Sequence, residues 1–371
     1  MAPVDDFEYN DTDTSFLGGE SDMNILWRGN HGKIAEVFIN VVVWSICSLT
    51  IIGNALIIAV FVVDGKVRGK VSNLYILNLA ICDFLIGSIS LVLHNIYRYY
   101  GVWNYGKPLC MIYLVVDWTA TIVSVWAIVL ISYDRYVLVT KGLAYDKIQT
   151  RRKFCYLGGS IWVIYVLRYG IVIIGYDFWF ESWVDYTRTC ATAADYVSSI
   201  VIFNAITSLC LPVLLIVVFN VVVFINIRKR TKGLPRNRAS SQVSPEETTE
   251  DTADPPAPAS SSNQDQAAPA TSSNQDQGSR EQRRRQEGTS DVSKLRRSAV
   301  TLALIVGTSA LCWLPYYIYI TASILHITVN TTVAIATYYI WWSSSLWNPI
   351  LFVATNPGIR RGVLKIFRFH R

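Results

Sequence analysis

A short set of ionisable side chains interrupts otherwise apolar stretches of this chain, and each is a candidate for chemistry. Asp83 and Asp117 are carboxylates with long apolar runs on both sides. Asp134 and Arg135 stand side by side, followed by Tyr136, and Arg168 completes the set. At about 100° per residue, Asp117, Thr121 and Ser124 fall on one helix face. Arg135 lies eighteen residues past Asp117, which is five whole turns or roughly 27 Å. One helix would thus carry an anion near one end and a guanidinium at the other. Such an element can report occupation of an anionic site to a distant cationic one, which suits transfer of a signal. The plainer reading is that the two groups are unrelated and that each pairs with a neighbouring helix.

A carboxylate by itself attracts any cation. Aromatic faces around it favour an organic ammonium, because cation–π attraction adds to that of the counter-ion. Trp118 follows Asp117, and later segments supply Trp313, Tyr316, Tyr317, Tyr338, Trp341 and Trp342. Tyr338 and Trp342 are one helical turn apart, on one face. Part of this set also suits an ordinary interfacial aromatic belt. The combination points to a small cationic amine as ligand. No metal-ligand spacing and no nucleophile–base set is visible, and His94 and His326 are isolated in the sequence. An enzyme is therefore not expected, and no cofactor is implied.

These residues need elements to hold them. The chain has 371 residues, 52% of them apolar and 16% charged, where a soluble domain has about a quarter charged. A bilayer core of about 30 Å takes roughly 20 apolar residues in a helix. Seven stretches qualify: 34–63, 71–97, 107–140, 153–175, 195–228, 296–326 and 333–354. None alternates as a barrel strand does, and backbone in lipid has to satisfy its own hydrogen bonds. The expected fold is an all-α membrane protein, a seven-transmembrane helix bundle. A charge at membrane depth costs about 2.5–3.5 kcal/mol on insertion scales, which makes Asp83 and Asp117 functional candidates. Arg168 falls near the outer end of the fourth span and is read as snorkelling to the surface.

The loops set the orientation. Basic residues follow the first span (Lys66, Arg68, Lys70), the third (Lys141, Lys147, Arg151, Arg152, Lys153) and the fifth (Arg228, Lys229, Arg230), and recur in the tail. The positive-inside rule makes that side cytoplasmic. The acidic N-terminus, with Asp5, Asp6, Glu8, Asp11, Asp13, Glu20 and Asp22, is then outside. No signal peptide is apparent, so the first span is expected to direct insertion. The net charge of +6 forms no continuous basic face, and nucleic acid is not an expected partner. Sequons at Asn10 and Asn330 fall outside and are candidates for glycosylation. Of the seven cysteines, Cys110 and Cys190 fall on the oxidising side, and they are the expected disulfide.

The chain divides into five regions. Residues 1–33 form an extracellular tail, and 34–230 carry the first five helices. Residues 231–294, rich in Ser, Thr, Pro, Gln and Asp, form a disordered third cytoplasmic loop. Residues 295–354 carry the last two spans. Residues 355–371 hold a short amphipathic helix, 357–367, lying along the membrane surface, and the end of the chain.

With its motifs taken in order, the chain resembles the rhodopsin-like (class A) G-protein-coupled receptors. Those motifs are Gly53-Asn54-Ala55, Asn78-Leu79-Ala80 with Asp83, Cys110, Asp134-Arg135-Tyr136, Trp162, Pro212, Cys312-Trp313-Leu314-Pro315 and Asn348-Pro349. Asp117 falls where aminergic members hold the ligand ammonium. Leu114-Val115-Val116-Asp117, Ile131-Ser132-Tyr133-Asp134-Arg135-Tyr136 and Trp342 are most similar to histamine receptors of the inhibitory-coupled subgroup. The resemblance implies a plasma-membrane, multi-pass receptor coupled to heterotrimeric G proteins of the inhibitory type. It also implies receptor kinases and arrestin as partners. Past Thr355 the tail carries no Ser or Thr, so their sites are expected in the third cytoplasmic loop, at Ser240, Ser241, Ser244, Thr248 and Thr249.

The resemblance further implies an allosteric sodium ion held by Asp83, Ser124 and Asn348, with Ser344 where the family carries an Asn. Departures from the pattern are specific. Where the histamine subgroup holds the ring of its ligand with a Glu on the fifth helix, this chain has Ser208, with Asn204 one turn above. Tyr317 replaces the Asn of muscarinic receptors. Asn220 and Phe352 replace two switch tyrosines, Ser309 replaces a Phe, and Leu295 offers Arg135 no acid. The alternatives are a receptor for another amine such as acetylcholine, a receptor for a non-amine ligand, and an ion-coupled transporter. A transporter would show internal repeats or broken helices. A retinal pigment needs a Lys in 333–354, and none is there.

Overall fold

The computed structural model describes residues 33–179, 184–192, 198–232, 299–323, 325 and 327–368. They form α1 (Lys33–Val63), α2 (Val71–Tyr100), α3 (Gly106–Lys141), α4 (Arg151–Trp179), α5 (198–232), α6 (Ala299–Ser323), α7 (331–355) and α8 (Pro357–Arg368). No strand occurs among the described residues. Two compact units are present, 1–226 with 297–371, and 227–296. Of the second, only the end of α5 is described. Asn10, Ser240, Ser241, Ser244, Thr248, Thr249, Leu295 and His326 lie outside the described residues.

Six of these helices, α1 to α6, are long and apolar enough to cross a membrane. The seventh expected span is divided at Ser343 into Thr331–Trp342 and Ser344–Thr355. Pro349 lies inside the second piece and has no N–H to give the carbonyl four residues before it, Ser345 O. Asn54 of α1 fills that vacancy, donating from Nδ2 to Ser345 O at 3.0 Å. The helices meet closely here: a Cβ on Gly53 would stand 2.9 Å from Pro349 Cγ. Further along, a Cβ on Gly362 of α8 would fall 2.4 Å from Val60 Cγ1, so α8 lies directly on α1.

Three of the spans contain a π-helical turn: Ile86–Leu91 in α2, Gly170–Gly175 in α4 and Ile206–Cys210 in α5. Each such turn inserts a residue relative to the α-helical count and rotates the rest of the helix to a new face. The most enclosed helix is α3, against which α2 and α4 pack. Trp162 Nε1 of α4 donates to Asn78 Oδ1 of α2 at 2.9 Å, and Trp126 Nε1 of α3 to Tyr165 OH of α4 at 2.7 Å. Phe38, Ile52, Leu167, Phe203 and Leu214 are exposed on α1, α4 and α5, where lipid would cover them.

At the outer end, Cys110 and Cys190 are disulfide-bonded, with Cα atoms 5.5 Å apart, as expected. Trp103, fully buried, receives a second tie from the same loop: its N–H donates to Arg188 O at 2.7 Å. Lys107 pairs with Asp177, which also accepts from Tyr186 OH at 2.6 Å. The loop turns at Asp185, whose carboxyl is held below the usual carboxylate range, chiefly by the Thr187 hydroxyl and then by its N–H. Asn330, one of the two sequon residues, caps α7 by accepting from Thr332 N at 2.9 Å.

Candidate functional site

Asp117 sits in the outer half of α3, only 8% exposed, with Thr121 and Ser124 also buried on the same helix. Ala120, one turn further in, belongs to the same buried cluster as Trp342 of α7. The aromatic residues of α6 and α7 form one assembly. Tyr316 stacks on Trp341 with ring centroids 4.4 Å apart and planes within 2°. Tyr338 lies 4.8 Å from Tyr316 and 6.0 Å from Trp342, and Trp341 stacks on Trp342 at 6.2 Å. Trp313 Nε1 reaches across to Ser344 Oγ at 3.3 Å. On the other side of Asp117, Trp118 meets the ring of Tyr169 at 5.3 Å. Tyr316, Tyr317, Tyr338, Trp341 and Trp342 are therefore joined through shared ring contacts, while Trp118 packs on Tyr169.

Tyr169 leads to α5. Its hydroxyl is 3.2 Å from Ser208 Oγ, and Ser208 is buried. One turn above Ser208, Asn204 Oδ1 accepts from Arg168 Nη2. This corrects the snorkelling expectation for Arg168. Its guanidinium is held between helices, 5.6, 5.5 and 4.9 Å from the ring centroids of Tyr165, Tyr169 and Phe203. Aromatic faces attract a cation more strongly once it is desolvated, which offsets its removal from water. Guanidinium can only donate, so the Asn204 carboxamide has its oxygen toward Arg168 and its NH2 left to donate elsewhere.

Deeper in, Asp83 is buried and its Oδ2 accepts from Asn348 Nδ2 at 2.8 Å. Oδ1 has no hydrogen-bond partner among the described residues. The Ser124 hydroxyl donates to Thr121 O at 2.9 Å, which leaves its oxygen lone pairs available to a cation. Ser344, where the family carries an Asn, accepts from Trp313 Nε1, and Ser345 lies beside the Asp83 carboxyl. The interruption of α7 at Ser343 falls in this same serine run, and the sequence gives no count that separates the three serines.

At the inner end Asp134 is fully buried and 3.6 Å from Arg135 Nη2. Its other partners carry no signal in the sequence. Tyr145 OH donates to Asp134 Oδ1 at 2.7 Å and Gln149 Nε2 at 3.1 Å, both from the loop after α3. Burial, then the adjacent Asp134 charge, pushes the Tyr145 phenol up, which keeps its proton in place to donate. Tyr136 packs on Phe219 at 5.5 Å. Asn220 Nδ2 donates to Ser132 Oγ at 3.2 Å, joining α5 to α3, and Phe352 is completely buried.

A family model described as 7 transmembrane receptor (rhodopsin family) matches residues 53–352. The chain is 28% identical over 359 residues to the histamine H4 receptor of Homo sapiens, covering 85% of this chain and 88% of that protein. It is 25% identical over 335 residues to the alpha-1A adrenergic receptor of Homo sapiens, covering 90% and 68%. It is 29% identical over 234 residues to the muscarinic acetylcholine receptor M3 of Rattus norvegicus, covering 63% and 38%.

Proposed function

The chain belongs to the rhodopsin family of seven-transmembrane receptors, and from that premise we propose that it is a plasma-membrane receptor for a small, histamine-like biogenic amine. What supports the reading is the buried Asp117 carboxylate of α3 together with a continuous aromatic assembly on α6 and α7, whose Trp342 shares a buried cluster with Ala120, one turn from Asp117. An ammonium there gains a counter-ion and cation–π contacts with Trp118, Tyr316, Tyr338 and Trp342. Trp313 and Tyr317 close the inner side, and Thr121, Asn204 and Ser208 are the hydrogen-bonding groups available to the rest of the ligand. Both polar groups on α5 are neutral and Asn204 is turned to donate, so the far end of the ligand would be an acceptor. A neutral imidazole satisfies this through its unprotonated nitrogen.

The signal then leaves along α3 to Asp134, Arg135 and Tyr136, where a heterotrimeric G protein of the inhibitory type would engage. Asn220, which donates to Ser132, and the buried Phe352 are the further residues proposed to set this switch. Asp83, with one buried oxygen unpaired beside Asn348 and Ser345, fits a small monovalent cation such as sodium, and Ser124 could add its hydroxyl. Receptor kinases and arrestin would act on the third cytoplasmic loop. The relatives named for acetylcholine and adrenergic ligands support the broader amine class, so acetylcholine is the second candidate.

The test is a ligand panel of histamine, acetylcholine and catecholamines on cells expressing the chain, read as G-protein activation. Asp117→Asn keeps the shape and removes the charge. Amine affinity should fall by at least about 2 kcal/mol, the scale of truncating one partner of a buried charge pair. Unchanged amine binding in a well-expressed Asp117→Asn receptor would sink the amine reading.

A further inference from the structure

We propose that the outer ends of α1, α2 and α7 form a second subsite, for an acidic group, next to the ammonium position. This rests on the amine reading of Asp117. Arg98, in the last turn of α2, is 3% exposed. An arginine at a helix end ordinarily extends to water or headgroups, and this one does not. Its Nη2 donates to Asn40 of α1, a neutral partner, and its Nε has no hydrogen-bond partner among the described residues. No carboxylate among the described residues pairs with it. A guanidinium removed from water without an anion is costly, and an incoming acid recovers that cost.

Arg98 is not isolated. Asn95, three residues earlier and so on the same face, is fully buried, and its Nδ2 has no hydrogen-bond partner among the described residues. Its Oδ1 accepts from Tyr339 OH at 3.2 Å, which leaves the NH2 as the free end. The ring of Tyr339 lies 5.9 Å from that of Trp342, and Trp342 Nε1 is a third buried donor without an acceptor among the described residues. His94 packs between, 4.6 Å from Trp342 and 5.8 Å from Tyr339. Three orphan donors, one of them a cation, ask for an acceptor-only, negatively charged group. Trp342 belongs to both sets, with its ring in the aromatic assembly and its N–H among the orphan donors. Trp342 thus links the two sets.

The acid is a carboxylate or similar anion, either carried by the amine ligand itself or taken from solution beside it. The experiment separates the two sources. Purified receptor is titrated with ω-amino acids from 4-aminobutyrate to 8-aminooctanoate and with their primary amides, read as thermal stabilisation. At one chain length the acid should bind the wild type at least about tenfold more tightly than its amide. Arg98→Gln should abolish that preference while still binding the amide, and Arg98→Lys should retain most of it. If the anion comes from solution, acid and amide bind alike, and sodium acetate at fixed ionic strength strengthens amide binding in wild type but not in Arg98→Gln. Asp117→Asn should weaken acid and amide together. If instead it leaves both unchanged, the amine reading fails while the Arg98 dependence is judged separately. A wild-type receptor that neither prefers the acid nor responds to acetate overturns the proposal, whatever the variants do.

Discussion

The polar residues of α5 are defined by what α4 does to them. Asn204 and Ser208 read as free ligand contacts in the sequence, yet Arg168 and Tyr169 each occupy one of them. Arg168 fixes which end of the Asn204 amide is available, so it acts on specificity through its neighbour. Replacing it in Arg168→Met removes the donor and lets the amide turn. Amines with an acceptor at the far end should then lose about one hydrogen bond, roughly 0.5–1.5 kcal/mol or about two- to tenfold in affinity. Competition binding measures this, and an unchanged affinity in Arg168→Met would mean that Asn204 does not meet the ligand. Asn204→Ala should cost more than Ser208→Ala, because the Ser208 hydroxyl already has Tyr169 as a partner.

Helix existence follows from hydropathy alone, since a bilayer leaves an apolar run few alternatives. The side chains that share one unbroken helix were equally legible, and Asp117, Thr121 and Ser124 of α3 are all buried. What the sequence hides is phase. A count at 100° per residue fails past the π-helical turns in α2, α4 and α5, and His94, Asn95 and Arg98 all come after the first of them. Arg168 and Ser208 lie beside or within the other two. Loop partners such as Tyr145 and Gln149 have no periodicity to betray them. Close helix approach was also invisible, because a glycine in a span reads as ordinary. Gly362→Ala should force α8 off Val60, an overpacking cost of about 1–3 kcal/mol, seen as a lower melting temperature of the purified receptor. Gly307→Ala in α6 meets nothing within 4 Å. It should be neutral or stabilising, by up to about 1 kcal/mol, from helix propensity. Equal melting temperatures for the two variants would contradict the packing of α8 on α1.

For the molecule as a whole, the inner end is held by contacts of modest strength: Arg135 with Asp134, Tyr145 and Gln149 with the same carboxylate, and Asn220 with Ser132. A change of one or two hydrogen bonds at about 0.5–1.5 kcal/mol each shifts a two-state population by about threefold to a hundredfold. Phe352→Tyr and Asn220→Tyr place hydroxyls at the two positions where the chain departs from the switch tyrosines of the family it resembles. Agonist-free G-protein activation at matched surface expression should rise, most in the double variant, and no change in either would show that other contacts set the balance. The serine-rich break in α7 has a consequence for synthesis. This segment leaves the ribosome after every other span, yet its polar groups are answered from the start of the chain. Asn54 reaches Ser345 O across 291 residues and Asn348 reaches Asp83 across 265, while Trp313 meets Ser344. Until those helices are assembled, Ser344, Ser345 and Asn348 enter lipid unanswered. The last span therefore completes polar contacts that the first two spans leave open, and a nascent chain stopped before α7 leaves Asn54 and Asp83 without these partners inside the membrane.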